Sequence, residues 1–95
     1  MTLGELIEIL QKADQSRVVP IGFHRPHSYR GYYCCVAFEP KANITIEKML
    51  ESAKSALGET FVAYKGGEFE MDNSTDVFLG EYGRLGDEIG PVLLG

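Results

Sequence analysis

Apolar side chains recur at helical spacing in two segments of the chain, and this limits the fold more than any other feature. In the first segment, Thr2 and Glu5 have the spacing of a capping box. The apolar positions that follow are Leu3, Leu6, Ile7 and Leu10. A second stripe, predicted over 45–57, consists of Ile46, Met49, Leu50, Ala53 and Leu57. We therefore expect two amphipathic helices, the first ending near Asp14 and the second capped by Gly58.

Runs with strand character lie between and after these helices. "RVVPIGF" predicts a short strand that Pro20 confines to an edge or a bulge, and "HRPHSYRG" predicts a loop. "YYCCVAF" predicts a central strand that Pro40 ends, and "TFVAY", "EFEM" and "DVFLGEY" predict further strands separated by turns. The order predicts an α+β fold over residues 1–95: a single two-layer domain with two helices packed on a mainly antiparallel sheet of four to five strands.

The charge of the chain is unevenly distributed. The net charge of −5 argues against general binding to DNA, which requires a broad basic face. Residues 15–38 nevertheless carry Arg17, Arg25 and Arg30 without a carboxylate, a formal +3, whereas residues 66–95 sum to −6. A cationic patch on an acidic protein suits a small anion better than a polymer.

The cationic patch includes "GFHRPHSYRGYY", with two histidines, two arginines and three tyrosines in residues 22–33. Guanidinium groups donate paired hydrogen bonds to phosphate, and tyrosine rings stack on bases. We predict ligand binding by Arg25, His27, Ser28, Tyr29, Arg30 and Tyr32. The alternative is structural: the arginines pair with the acidic C-terminal region and the tyrosines pack at the rim of the core.

Two other segments supply candidate ligand-binding residues. In "YKGGEF", Lys65 adds a positive charge, and Gly66 and Gly67 let backbone amides approach a ligand, although a hairpin turn also explains the glycines. In "EYGRLGDEIG", Arg84 could reach a phosphate or neutralise the neighbouring carboxylates.

Few residues suggest catalysis or metal binding. His24 and His27 flank an arginine, which repels a cation, and no third ligand lies nearby in sequence. The adjacent Cys34 and Cys35 are expected to be buried thiols. We therefore predict no metal, no cofactor and no enzymatic activity. A nucleotide hydrolase or transferase using His24 or His27 as acid or base is the weakest alternative.

A second alternative function relies on the acidic residues. A protein-interaction inhibitor would present an acidic face to a basic surface of a host enzyme. Its residues would be Glu68, Glu70, Asp72, Asp76, Asp87 and Glu88.

The N-terminal "MTLGELIEIL" has neither a basic start nor a long apolar run. It therefore predicts neither a signal peptide nor a membrane span, and we expect a soluble, intracellular protein.

Motifs spread over most of the chain, from about Pro20 to Gly90, resemble a family of short phage and prophage proteins. They include "PHSYRGYY", "AFEP", "YKGGEF" and the glycine pattern of "EYGRLGDEIG". This type of protein resembles the phage anti-Thoeris sponge proteins, small oligomers that sequester cyclic ADP-ribose signals of bacterial defence without cleaving them.

The resemblance implies a phage protein that acts in the cytoplasm of the bacterial host. It implies a cyclic nucleotide as the ligand and a homo-oligomer, a dimer or a hexamer, with the ligand held between subunits. From the net charge and the N-terminal sequence we predict no binding to DNA or to membranes. The candidate residues themselves come from their chemistry and not from a match to ligand residues of that family.

Overall fold

The computed structural model describes residues 1–27, 35–62, 66–80 and 87–88, the last pair by its backbone. Two helices and six strands occur in these residues. In chain order they are α1 (Leu3–Lys12), β1 (Val18–His27), β2 (Cys35–Thr45), α2 (Ile46–Ala56), β3 (Thr60–Val62), β4 (Glu68–Glu70), β5 (Asp76–Leu79) and β6 (Asp87–Glu88).

The strands form two sheets. Four of them pair in the order β1–β2–β5–β6, and β3 pairs with β4 in a separate antiparallel hairpin. Within the larger sheet β1 and β2 are antiparallel, β2 and β5 are parallel, and β5 and β6 are antiparallel. The predicted α+β class, with two helices and mainly antiparallel strands, is confirmed.

Both helices begin where the sequence predicted. Thr2 and Glu5 form the expected capping box, and the four predicted apolar residues of α1 are buried. Thr45 caps α2 by accepting a hydrogen bond from the Lys48 amide. Leu57 was wrongly assigned to the buried stripe of α2: it is 43% exposed because it follows the last helical turn, and Ala56 is buried instead.

The first two strands are longer than predicted. β1 continues to His27, with a register shift between His24 and Pro26, so the prediction of a loop from His24 was wrong. β2 continues past Pro40, which does not end it. In the described residues β5 covers only Cys35–Phe38, so Pro40 lies where one side of β2 is open and a missing amide is tolerated.

The core lies between the helices and the larger sheet. Its largest buried side chains include Phe23 of β1 and Phe38 of β2, whose ring centroids are 4.6 Å apart. Gly22 lets α2 approach β1 closely, because a Cβ there would lie 2.4 Å from Ile44 Cγ2 and 2.9 Å from Met49 Sδ. The position of α2 against the strands therefore depends on this glycine.

Candidate functional site

A groove of about 440 Å³ lies between the β1–β2 strand pair and α2. Ile44 contributes an apolar side chain to it and also belongs to the buried core. We call this feature the groove. It is in the usual size range of small-molecule sites, about 300–1,000 Å³.

The strand wall of the groove is formed by His24, Arg25, Lys41 and Asn43. Arg25 is the extra residue of the β1 bulge, since His24 pairs with Glu39 while Pro26 pairs with the adjacent Phe38. Its φ is 48°, and that of Asn43 is 52°. Such left-handed geometry is unfavourable for a residue such as arginine and less so for asparagine, and both cases in the described chain line this one groove. Bulges and backbone strain of this kind are frequent beside functional sites.

The helix wall of the groove consists of Thr45, Lys48, Glu51 and Ser52. These positions share one face of α2 because they recur every three or four residues. The first amides of the helix already have acceptors: the Ile46 amide donates to Arg17 O at 2.9 Å and the Glu47 amide to Gln15 O at 3.1 Å. An anion in the groove would therefore be bound by side chains and not by the end of the helix backbone.

The groove is cationic although the protein is acidic. Arg25, Lys41 and Lys48 line it together with one carboxylate, Glu51, which gives a formal charge of +2 with His24 neutral. Partial burial lowers the pKa of His24, and Arg25 lowers it further; Glu39 acts in the opposite direction, and Lys41 adds to the lowering. His24 is therefore a neutral hydrogen-bonding group near pH 7.

Of the predicted ligand residues, the structure places Arg25 in the groove. His27 is only 6% exposed, and its Nε2 lies 2.9 Å from the carbonyl oxygen of Gly80, a bond that joins the ends of β1 and β5. Gly66 and Gly67, with φ near 90°, lie in the β3–β4 turn and are exposed. The remaining predicted residues lie outside the described residues: Ser28, Tyr29, Arg30, Tyr32, Lys65 and Arg84.

Sequence reasoning missed the groove residues on β2 and α2. Lys41 and Asn43 follow Pro40, where the strand was expected to have ended. Lys48 and Glu51 had been assigned to the solvent-exposed face of the second helix, and they are indeed exposed. The spacing of Lys48 and Glu51 with Thr45 and Ser52 could have shown that these four residues share one face of the helix. The sequence did not show that the pairing of β2 with β1 brings this face opposite Arg25.

The acidic residues of the alternative function are in a different environment. Glu68 and Glu70 are exposed on β4, beside the exposed Val62 and Phe69. Asp72 is used locally, because Oδ1 accepts hydrogen bonds from the Ser74 hydroxyl and amide, and these bonds lower its pKa. Asp76 is exposed at the start of β5, and Asp87 and Glu88 form β6.

In the residues that the structure describes, no group of three or more His, Cys, Asp or Glu side chains is arranged to hold a metal ion. No helix in that part of the chain has the length and apolar character needed to cross a bilayer.

No protein-family model matches the chain, and neither a curated protein nor a solved structure matches it. The groove and the motifs of the sequence are therefore the features that bear on function.

Proposed function

We propose that the protein binds and sequesters a small phosphate-bearing signal, a cyclic ADP-ribose-type or related cyclic nucleotide, without cleaving it. In this proposal it is a phage-encoded sponge that counteracts anti-phage defence in the cytoplasm of the bacterial host. The resemblance to short phage proteins supplies the ligand class, and the groove supplies a place for its phosphates.

One observation carries the proposal: three cationic side chains from three elements converge on one groove of an acidic protein. Arg25 comes from the β1 bulge, Lys41 from β2 and Lys48 from α2. A guanidinium binds phosphate oxygens with two parallel hydrogen bonds, and ammonium groups add charge. An anion bound between these cations would offset their mutual repulsion, so the convergence favours an anionic ligand.

The charge of the groove suits the proposed ligand. Its formal +2 matches a pyrophosphate diester, which carries one negative charge on each phosphate. The neutral His24 adds a hydrogen bond without changing this balance. Tyr29, Arg30 and Tyr32 follow β1 in sequence and remain predicted partners for the base and the phosphates.

The proposal includes self-association into a dimer or a hexamer, because a groove on one small domain leaves much of a nucleotide exposed to solvent. Light scattering coupled to size exclusion would give the mass of the particle with and without ligand.

The second candidate function is the acidic inhibitor of a host defence enzyme. It is favoured by the exposed Glu68 and Glu70, which flank the partly exposed Phe69 on β4. Charged residues around an apolar side chain are a common arrangement in protein interfaces. This function would not need Arg25.

The test is a thermal-shift scan against cyclic ADP-ribose isomers and other cyclic and linear nucleotides, followed by calorimetric titration. A ligand that binds the folded state raises the melting temperature. Arg25→Glu should abolish the shift. Lys54→Glu is the matched control, because it makes the same change in net charge at an exposed α2 position outside the groove.

Recovery of the ligand distinguishes a sponge from an enzyme. Heat denaturation should release the bound nucleotide unchanged, as judged by chromatography. A converted nucleotide would support the hydrolase or transferase alternative. If no nucleotide changed the melting temperature, the proposed function would be contradicted and the acidic inhibitor would be favoured.

A further inference from the structure

We propose that Glu51 and Ser52 read the sugar hydroxyls of the ligand and select sugar-bearing phosphates over simple inorganic anions. This inference rests on the proposed function, because it assigns specificity within the same groove.

The helix wall has two chemically different ends. Lys48 and Glu51 are three residues apart on α2, so their Cα atoms are separated by about 4.5 Å along the helix axis. Lys48 lies in the first turn of the helix, and Glu51 with Ser52 lies about one turn further along. A ligand with its phosphates near Lys48 would place its next chemical group beside Glu51 and Ser52.

A carboxylate is an unexpected component of an anion-binding groove. Glu51 repels phosphate and reduces the charge that Arg25, Lys41 and Lys48 provide. It would favour binding where it contacts a part of the ligand that donates hydrogen bonds. An ionised carboxylate accepts hydrogen bonds through both oxygens, which suits the two adjacent hydroxyls of a ribose. Dinucleotide-binding folds use an acidic residue for this purpose.

Glu51 is also available for such a contact. On α1, Glu8 and Lys12 form an ion pair at 2.8 Å, as expected for oppositely charged residues four apart. Within the described residues Glu51 forms no ion pair or hydrogen bond of this kind with Lys48 or Lys54. Its carboxylate oxygens therefore remain able to accept hydrogen bonds from a ligand.

Ser52 completes the pair of hydroxyl-reading groups. It is half-buried, unlike the exposed Glu51, and it lines the groove. Its hydroxyl can donate and accept hydrogen bonds, so it fits a sugar hydroxyl in either direction.

The experiment compares two probes, inorganic pyrophosphate and cyclic ADP-ribose, by calorimetric titration of wild type and variants. Glu51→Gln removes the charge with little change in shape. It should tighten pyrophosphate binding about two- to fivefold, because a repulsion of surface size is lost. It should weaken cyclic ADP-ribose binding about tenfold, because hydrogen bonds to an ionised acceptor are lost.

Two further variants make the result specific. Ser52→Ala should weaken cyclic ADP-ribose about fivefold and leave pyrophosphate unchanged, as expected for one neutral hydrogen bond. Glu47→Gln is the matched control, since Glu47 is an exposed carboxylate of the same helix that does not line the groove. It should leave the ratio of the two affinities as in wild type.

The inference would be overturned if Glu51→Gln changed the affinities for both probes in the same direction. It would also be overturned if the ratio of the two affinities were the same in Glu51→Gln as in Glu47→Gln. If wild type binds both probes and Arg25→Glu abolishes both, such a result removes only the assignment of Glu51 and Ser52. If wild type binds neither probe, the inference fails, and the thermal-shift scan against the other nucleotides decides separately whether the proposed function fails as well.

Discussion

The groove and the β3–β4 hairpin each carry an excess of charge of one sign. They differ in how their charged side chains are anchored to the rest of the fold. The groove residues project from β1, β2 and α2, which share the buried core through Phe23, Ile44 and Met49. In the hairpin every residue of β4 is exposed, and a Cβ added at Gly66 or Gly67 would meet no atom of the described residues within 4 Å.

This difference shows that a cluster of like charges indicates a ligand site only when the surrounding structure holds the charged side chains together. Exposed carboxylates on a two-stranded hairpin repel one another weakly and need no ligand to explain them. The cations of the groove are exposed as well, but elements of the packed core and a bulged strand hold them together, and the left-handed backbone of Arg25 costs free energy. The groove therefore provides the stronger argument for ligand binding.

The largest expected effect separates two histidines of the same strand. His27→Ala should lower the free energy of unfolding by about 3 kcal/mol, because it removes a buried side chain and leaves the Gly80 carbonyl without its partner. Urea denaturation measures this. His24→Ala should instead cost little stability and change the affinity for anions. If His27→Ala lost anion affinity without a change in the free energy of unfolding, His27 would be a ligand-binding residue after all.

Glycine substitutions test how far ligand binding depends on the packing around each region. Gly22→Ala should lower the free energy of unfolding by about 2 kcal/mol and weaken anion binding, because the added methyl meets Ile44 and Met49 and displaces α2. Adding Ile44→Ala should relieve this clash, so the double mutant should be less destabilised than the sum. Gly67→Ala in the hairpin should cost about 1 kcal/mol through its positive φ and leave binding intact. Equal binding losses would contradict the comparison.

Charge reversals test the two regions directly. Lys48→Glu should weaken cyclic ADP-ribose binding about tenfold, or about 1.4 kcal/mol, because an attraction becomes a repulsion. Glu68→Lys should leave that affinity unchanged within about twofold, since β4 is outside the groove. Calorimetric titration of both variants gives the answer. The acidic-inhibitor function predicts the reverse order for binding to a protein partner.

The smallest expected effect is the pH dependence. The lowered pKa of His24 means that the unfolded chain, with an ordinary value of 6.5, takes up its proton first as the pH falls. Stability should therefore decline below pH 6.5, and less so in His24→Gln. Anion affinity should rise over the same range, because protonated His24 adds a positive charge.

Asp72 beside the hairpin responds in a separate range. Hydrogen bonds from Ser74 lower its pKa from 3.8, so its contribution to stability is present above that pH and is lost as the pH falls through the lowered value. Denaturation curves from pH 7.5 to 3 should show the two ranges, with the decline in the upper range smaller in His24→Gln.

Helix positions followed directly from the sequence, because caps and apolar spacing are local properties. Thr2, Glu5 and Thr45 make the hydrogen bonds that their positions predict. The ends of the strands could not be predicted from the sequence. β1 accommodates Pro26 because of its bulge, and β2 accommodates Pro40 because β5 does not extend that far along it. Neither of these is a local property.

The candidate site was predictable only in part for the same reason. Arg25 was found because its neighbours are unusually cationic and aromatic. Lys41 and Lys48 lie in ordinary sequence surroundings, and they join Arg25 only through the antiparallel register and the turn from β2 into α2. A pattern along the chain does not contain that information.

The groove is built from consecutive elements, with all of its lining between His24 and Ser52. β5, in contrast, pairs with β2 across the whole of α2 and the β3–β4 hairpin. Closing a long loop costs more entropy and slows pairing, so we expect the groove to form before β5 docks. During synthesis the segment that forms the groove leaves the ribosome before β5 does. A ligand that binds the groove would therefore stabilise the chain before β5 has docked.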